Sequence, residues 1–293
     1  MEYVIILING FGSSKTFWEY AFEDKPILRK LDFVDKLKTI GKTKDNKTKN
    51  KIFKFNQNFF NVNYYSTPDK KKDEILWGKI YENYKPHSSN INFNLEDLDY
   101  KNICNNIYKT VKNKYGNNKK YIVIGHSYGG PIGLLFSKLY KNDVILCCCI
   151  DNAPYTLGFY KKYDEKENKD ILLKYSNNDK LKQSLKIIKN SNDKTIVNKE
   201  IDDIYKLIGY RSASDRIKYY DDKLYVPTLF FKVYHLNPTD NEKVRNKYNN
   251  IEMKHFKKDK KLCDYIIFKD AEHFIWKNQK YSDEIINNIS KRL

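Results

Sequence analysis

A serine hydroxyl is a poor nucleophile at neutral pH and needs a base within hydrogen-bond reach. Ser127 sits in a stretch that fixes its approach: Tyr121-Ile122-Val123-Ile124-Gly125-His126-Ser127-Tyr128-Gly129-Gly130. An apolar run stops at a serine with glycine two residues away on each side, and a nearly all-apolar segment follows from Pro131 to Tyr140. This order predicts strand, sharp turn and helix, a nucleophile elbow in which a Cβ at Gly125 or Gly129 would clash. Of the five histidines, His126 adjoins the serine, but a sharp turn aims neighbouring side chains apart, so it reads as packing. His87 and His255 lie in polar surroundings and read as surface residues. His235 follows a strand and is a rival base. His273 is best placed, in a short loop after the final strand and before Phe274 and Trp276, where it would hang over the strand ends beside the elbow.

Strands and helices must hold these groups together. Residues 3–8 form a continuously apolar strand, as in a buried parallel sheet, and lead into the glycine-rich Asn9-Gly10-Phe11-Gly12-Ser13-Ser14. Residues 26–38 show helical spacing, and 38–54 reads as a solvated loop. A weak strand is expected at 59–64 and a helix at 73–84. Tyr100, Ile103, Ile107, Val111 and Tyr115 share one helical face that ends at Gly116. The elbow strand (121–125), a buried helix (131–141) and an apolar strand (144–150) come next. Residues 155–222 are polar and helical in pattern. Apolar strands return at 227–234 and 264–268, and a last helix starting at Ser282 buries Ile285, Ile286 and Ile289. Strands alternating with helices mean a mostly parallel α/β sheet flanked by helices. The expected organisation is a core of 1–154 and 223–293, with 155–222 inserted as a helical cap at the carboxyl ends of the strands.

Composition narrows the function. The net charge is +18, but lysine is spread over most segments and arginine, which suits bidentate phosphate contacts, is scarce. The abundance of lysine, asparagine, isoleucine and tyrosine reads as codon bias, and no nucleic-acid function is expected. The basic balance implies at most a preference for acidic substrates or anionic surfaces. The five cysteines do not form a disulfide framework: Cys147, Cys148 and Cys149 are consecutive in an apolar strand and act as small hydrophobes. No metal-ligand spacing appears, so no metal or organic cofactor is expected. No run approaches membrane-spanning length, and Tyr3–Ile8 is too short for a signal core. A cytoplasmic setting is expected.

Taken together, these pieces resemble the α/β-hydrolase fold superfamily, in its branch of capped serine esterases. The opening Ile-Leu-Ile-Asn-Gly-Phe-Gly-Ser-Ser with Trp18 is similar to the family's oxyanion loop, and Gly-His-Ser-Tyr-Gly-Gly to its elbow. Ile150-Asp151-Asn152-Ala153-Pro154 resembles the end of its sixth strand and Val226-Pro227-Thr228-Leu229-Phe230-Phe231 its seventh. Asp270-Ala271-Glu272-His273-Phe274 resembles its histidine loop. The resemblance implies a Ser-His-Asp triad and an oxyanion hole formed by the backbone N–H groups of Phe11 and Tyr128. Asn9 stands where the family commonly has histidine. The acid is expected soon after the seventh strand, where Asn237 stands nearer the expected aspartate position. Asp240 is the nearest carboxylate and the expected acid; Glu242 is a further candidate, and Asp151 is the alternative.

The implied activity is hydrolysis of a carboxylic ester, thioester or amide through an acyl-enzyme on Ser127. The alternatives are a catalytically inactive ligand-binding protein of the same fold, or an acyltransferase using the same triad. Substrate identity and oligomeric state are not legible.

Overall fold

A computed structural model describes residues 2–10, 18–22, 28–41, 49–55, 93–152, 169–219, 223–256, 259 and 261–293. In chain order these residues form β1 (Tyr3–Ile8), β2 (Tyr20–Phe22), β3 (Leu28–Lys30), α1 (Phe33–Leu37), β4 (Lys51–Phe55), α2 (Tyr100–Tyr115), β5 (Lys120–His126), α3 (Gly129–Leu139) and β6 (Val144–Ile150). Then come α4 (Lys169–Lys174), α5 (Asn178–Asn190), α6 (Lys194–Tyr219), β7 (Thr228–Tyr234), α7 (Asp240–Phe256), β8 (Cys263–Lys269) and α8 (Gln279–Arg292).

Six strands form one sheet in the order β4-β1-β5-β6-β7-β8, with every neighbouring pair parallel. The strands are apolar throughout because both faces are covered. Val4, Ile6, Tyr121 and Val123 point to the side that also holds buried residues of α2 and α3. Ile5, Leu7, Ile122 and Ile124 point to the other side, which shares a core with Phe33 of α1 and with Ile285 and Ile289 of α8. Cys147, Cys148 and Cys149 are fully buried and unpaired, alternating between these two cores. The parallel sheet, the strand–turn–helix at Ser127 and the helical insertion between β6 and β7 make this an α/β-hydrolase fold. Among the described residues no helix is long and apolar enough to cross a membrane.

Two expected elements differ. Residues 26–38 are not one helix: β3 pairs antiparallel with β2, and only the five-residue α1 follows. Apolar–charged alternation over so few residues serves either period. The lysine-rich 38–54 stretch contains the start of β4, which hydrogen-bonds to β1 and is the outermost strand among the described residues. Lysine suits such a position, because it discourages pairing with another chain. The strand expected at 59–64 and the helix at 73–84 lie outside the described residues.

The insertion is anchored to the sheet's helical layer by apolar packing and by a buried bond from α2 to Asp215. Leu181, Leu185 and Ile188 of α5 and Ile201, Ile204 and Leu207 of α6 join the core on the α2–α3 side. Lys174 bonds Glu200 at 2.7 Å and Asp203 at 2.8 Å. At the start of α2, Asp99 caps Asn102 N–H at 2.9 Å while Asp215 of α6 accepts from Tyr100 N–H at 2.7 Å. Burial pushes the Asp215 carboxyl up to about 6, against the lowering effect of the Tyr100 N–H. A carboxyl raised in the folded state contributes stability that is complete below about 3.8 and lost as pH rises through about 6. Asp215→Asn keeps the acceptor and removes the titration. The substitution is therefore expected to stabilise the protein by about 1 kcal/mol at pH 8, with the gain shrinking towards pH 5, as read from thermal denaturation at both pH values.

Candidate active site

The elbow follows from contacts only glycine permits. A Cβ at Gly125 would lie 2.2 Å from the Gly129 carbonyl oxygen, and one at Gly129 would lie 2.3 Å from that of Ile8. With the strand and helix so close, the turn is forced into a left-handed conformation, and Ser127 has φ +51°. For a residue other than glycine this costs about 1–3 kcal/mol and persists only where the surroundings over-determine it. Ser127 N–H donates to the Ile150 carbonyl at 2.9 Å, and Gly130 N–H to the Ser127 carbonyl at 3.1 Å. The side chain remains partly accessible at the carboxyl end of the sheet.

Gly10 packs against the elbow: a Cβ there would fall 3.2 Å from Cβ of Ser127 and 2.7 Å from Nδ1 of His126. The loop after β1 thus starts beside the serine. Asn9 is buried and accepts from Nε1 of Trp18 at 2.5 Å, which ties the loop's start to Trp18. Phe11 itself lies outside the described residues. Tyr128 begins α3, so its N–H belongs to the positive end of that helix. Its buried ring meets Tyr100 edge-on at 5.4 Å.

His126 is 1% exposed, and burial holds its imidazole well below the usual range, hence neutral. Its Nε2 lies 3.1 Å from the His273 carbonyl oxygen, and the two rings are 4.4 Å apart. With Trp18 and Trp276 it forms the aromatic floor on which the His273 loop rests. His126 is a packing residue that brings His273 to the elbow.

The carboxylate at His273 is Asp151. Its Oδ2 stands 2.5 Å from Nδ1 of His273. Oδ1 accepts from Val233 N–H at 3.1 Å, and Oδ2 also pairs with the Arg245 guanidinium at 2.8 Å. Asp151 is fully buried, with φ +40°. Burial alone would raise its carboxyl, but Arg245, His273 and the Val233 N–H overcome it and hold the group far below the usual carboxylate range. An ionised Asp151 accepts, so Nδ1 of His273 donates and Nε2 carries the lone pair that a base needs.

Asp240 does not meet His273. It opens α7, its side chain is 96% exposed, and it pairs with Lys243 at 2.8 Å. The backbone of the loop after β7 is held by bonds to α7 and to Asp270. His235 N–H donates to Asn246 at 3.4 Å, Asn246 donates back to the His235 carbonyl at 2.8 Å, and Leu236 N–H donates to Asp270 at 2.8 Å. Glu242 is spent as the cap of α7, accepting from N–H and Oγ1 of Thr239 at 2.7 and 2.8 Å. Asn237 is exposed. The carboxylate that meets His273 is thus Asp151, at the end of β6, and not the expected Asp240.

Two groups around Asp151 were not anticipated. Arg245 contacts both its carboxylate and its main-chain oxygen, the latter at 3.0 Å. Lys232, 1% exposed, donates to the Asn152 carbonyl at 2.8 Å and pairs with the fully buried Glu252 at 2.8 Å. Tyr265 donates to that same glutamate. A lysine inside the otherwise apolar run Thr228–Tyr234 was the one available signal, since a buried cation requires a buried anion.

Compared with protein-family models and with curated protein sequences, the chain matches none. Among solved structures it is similar to an esterase from a marine microorganism, at 18% identity over 100% of this chain and 96% of the other, with a TM-score of 0.49. It is also similar to an α/β-hydrolase enzyme from the metagenome of sediments from the lagoon of Mar Chica, Morocco. There the identity is 11% over 99% and 90% of the two chains, with a TM-score of 0.45.

Proposed function

We propose that this protein is a serine hydrolase acting on carboxylic esters through an acyl-enzyme. The observation that carries the reading is the 2.5 Å contact between Nδ1 of His273 and the buried Asp151, in a loop packed on His126 beside Ser127. In this scheme Ser127 Oγ attacks the ester carbonyl while Nε2 of His273 takes its proton. Asp151 holds the imidazole in the Nδ1–H tautomer and stabilises the imidazolium. The tetrahedral oxyanion is received by the amides of Tyr128 and Phe11. Collapse expels the alcohol, which takes the proton back from His273. Water then attacks the acyl-enzyme by the same route in reverse order and frees the acid. The helical insertion, with residues 155–222 as its extent, would roof the acyl pocket and choose the chain.

Steady-state hydrolysis of p-nitrophenyl esters of increasing acyl length tests the reading. Turnover that falls about 10³-fold or more in His273→Ala supports it. Absence of turnover across the series would favour a non-catalytic binding protein instead.

A further inference from the structure

Arg245 places a cation against the proposed acid, on the same oxygen that faces the imidazole. Its Nη2 lies 2.8 Å from Oδ2 of Asp151, the same oxygen that faces Nδ1 of His273 at 2.5 Å, and it also binds the Asp151 main-chain oxygen at 3.0 Å. One nitrogen therefore spans carboxylate and carbonyl of a single residue and fixes the rotation between them. That residue has φ +40°, a conformation that needs such over-determination. Five residues of the chain are arginine, against fifty lysines. A lysine ammonium could also offer one nitrogen to two acceptors, but without the rigid plane that fixes the directions of the guanidinium N–H bonds.

The charge count gives the consequence. With Arg245 present, Asp151 and neutral His273 form a group of net charge zero, and protonating His273 makes it +1. Without Arg245 the same step runs from −1 to zero and is easier. The neighbouring charges do not cancel this effect. Buried His126 at the end of β5 is neutral, and Lys232 on β7 is matched by Glu252 on α7 with Tyr265 of β8 beside it. Glu242 is engaged at Thr239, with His235 at 3.6 Å. Within the histidine loop, Asp270 is bound to Leu236 N–H, Glu272 is exposed, and Lys277 stacks over Phe274 at 4.2 Å.

Resting on the hydrolase reading above, we propose that Arg245 is a positioning residue that aims Asp151 and disfavours the imidazolium of His273, extending Ser127-dependent turnover to lower pH. Loss of Arg245 through a merely structural effect would act in the opposite direction. A loosened Asp151 supports the imidazolium less well, and the acid limb would move down.

The experiment is the pH profile of kcat/KM in wild type, Arg245→Gln, Arg245→Met and Arg245→Lys. Either neutral variant that folds is expected to shift the acid limb up by about one pH unit. Arg245→Lys is expected to leave the limb near the wild-type position while lowering the rate about tenfold through misplacement of Asp151. A limb that stays in place or moves down in the neutral variants overturns the proposal. The NMR titration of the His273 ring, assigned with His273→Ala, gives the same comparison without any substrate. If wild-type turnover proves independent of Ser127, the hydrolase reading fails, while an upward shift of the ring titration on loss of Arg245 still upholds the charge effect and an unmoved one rejects it.

Discussion

Ser127→Ala is expected to lower kcat/KM for ester substrates by about 10⁴-fold or more while leaving the fold intact. The attacking atom is lost, whereas the elbow is set by the Gly125–Gly129 crossing and by main-chain bonds from Ser127 to Ile150 and Gly130, which alanine retains. Ser127→Gly is expected to lose activity equally but to gain about 1 kcal/mol of stability, because it relieves the strain of φ +51°. Progress curves with a chromogenic ester and thermal denaturation of both variants check this pair of outcomes. Activity surviving in either variant would remove Ser127 from the chemistry.

Asp151→Asn is expected to lower kcat by about 10³–10⁴-fold, and Asp240→Asn to leave it within about twofold. An amide at 151 keeps the size of the carboxylate but presents either a donor or a neutral acceptor to His273. The tautomer with the lone pair on Nε2 loses its support, and the imidazolium loses its counter-charge. Arg245 is left facing a neutral group with its charge partly buried. A carboxyl held below its usual range contributes stability above that range, which is lost as pH falls through the folded value. Asp151→Asn is therefore also destabilising at neutral pH. Asp240 lies in solvent beside Lys243 and has nothing comparable to lose. Parallel kinetics of the two variants decide between the strand-end carboxylates.

The contrast between these residues shows what a single sequence discloses. Ser127 was legible because an elbow is local: strand, two glycines and helix all lie within about twenty residues, and each is needed for the turn. The placement of His273 beside His126 was legible from chain order and its loop. The carboxylate that meets His273 was not, because both β6 and β7 end in a loop with a carboxylate, and the choice depends on distant bonds. Asn246 and Asp270 fix the backbone of the loop after β7, and neither lies in it.

Helix α7 was missed for a related reason. Its apolar Val244 and Ile251 face solvent, whereas Asn246, Asn249 and Glu252 are buried against the β7 side. Asn246 serves the His235 backbone, Asn249 the Val233 carbonyl and Glu252 the side chain of Lys232. Polar satisfaction inverts the periodicity by which helices are normally read. Arg245 and Glu252, which brace the acid turn, were hidden with it.

The central claim is that Ser127 forms a covalent adduct at the carboxyl end of the sheet. It is tested most directly by intact-mass analysis of the protein treated with a fluorophosphonate, followed by mapping of the modified peptide. The account predicts one adduct per chain, carried by Ser127, abolished in Ser127→Ala and slowed in Asp151→Asn but not in Asp240→Asn. An unmodified protein, or an adduct on another residue that persists in Ser127→Ala, would contradict it.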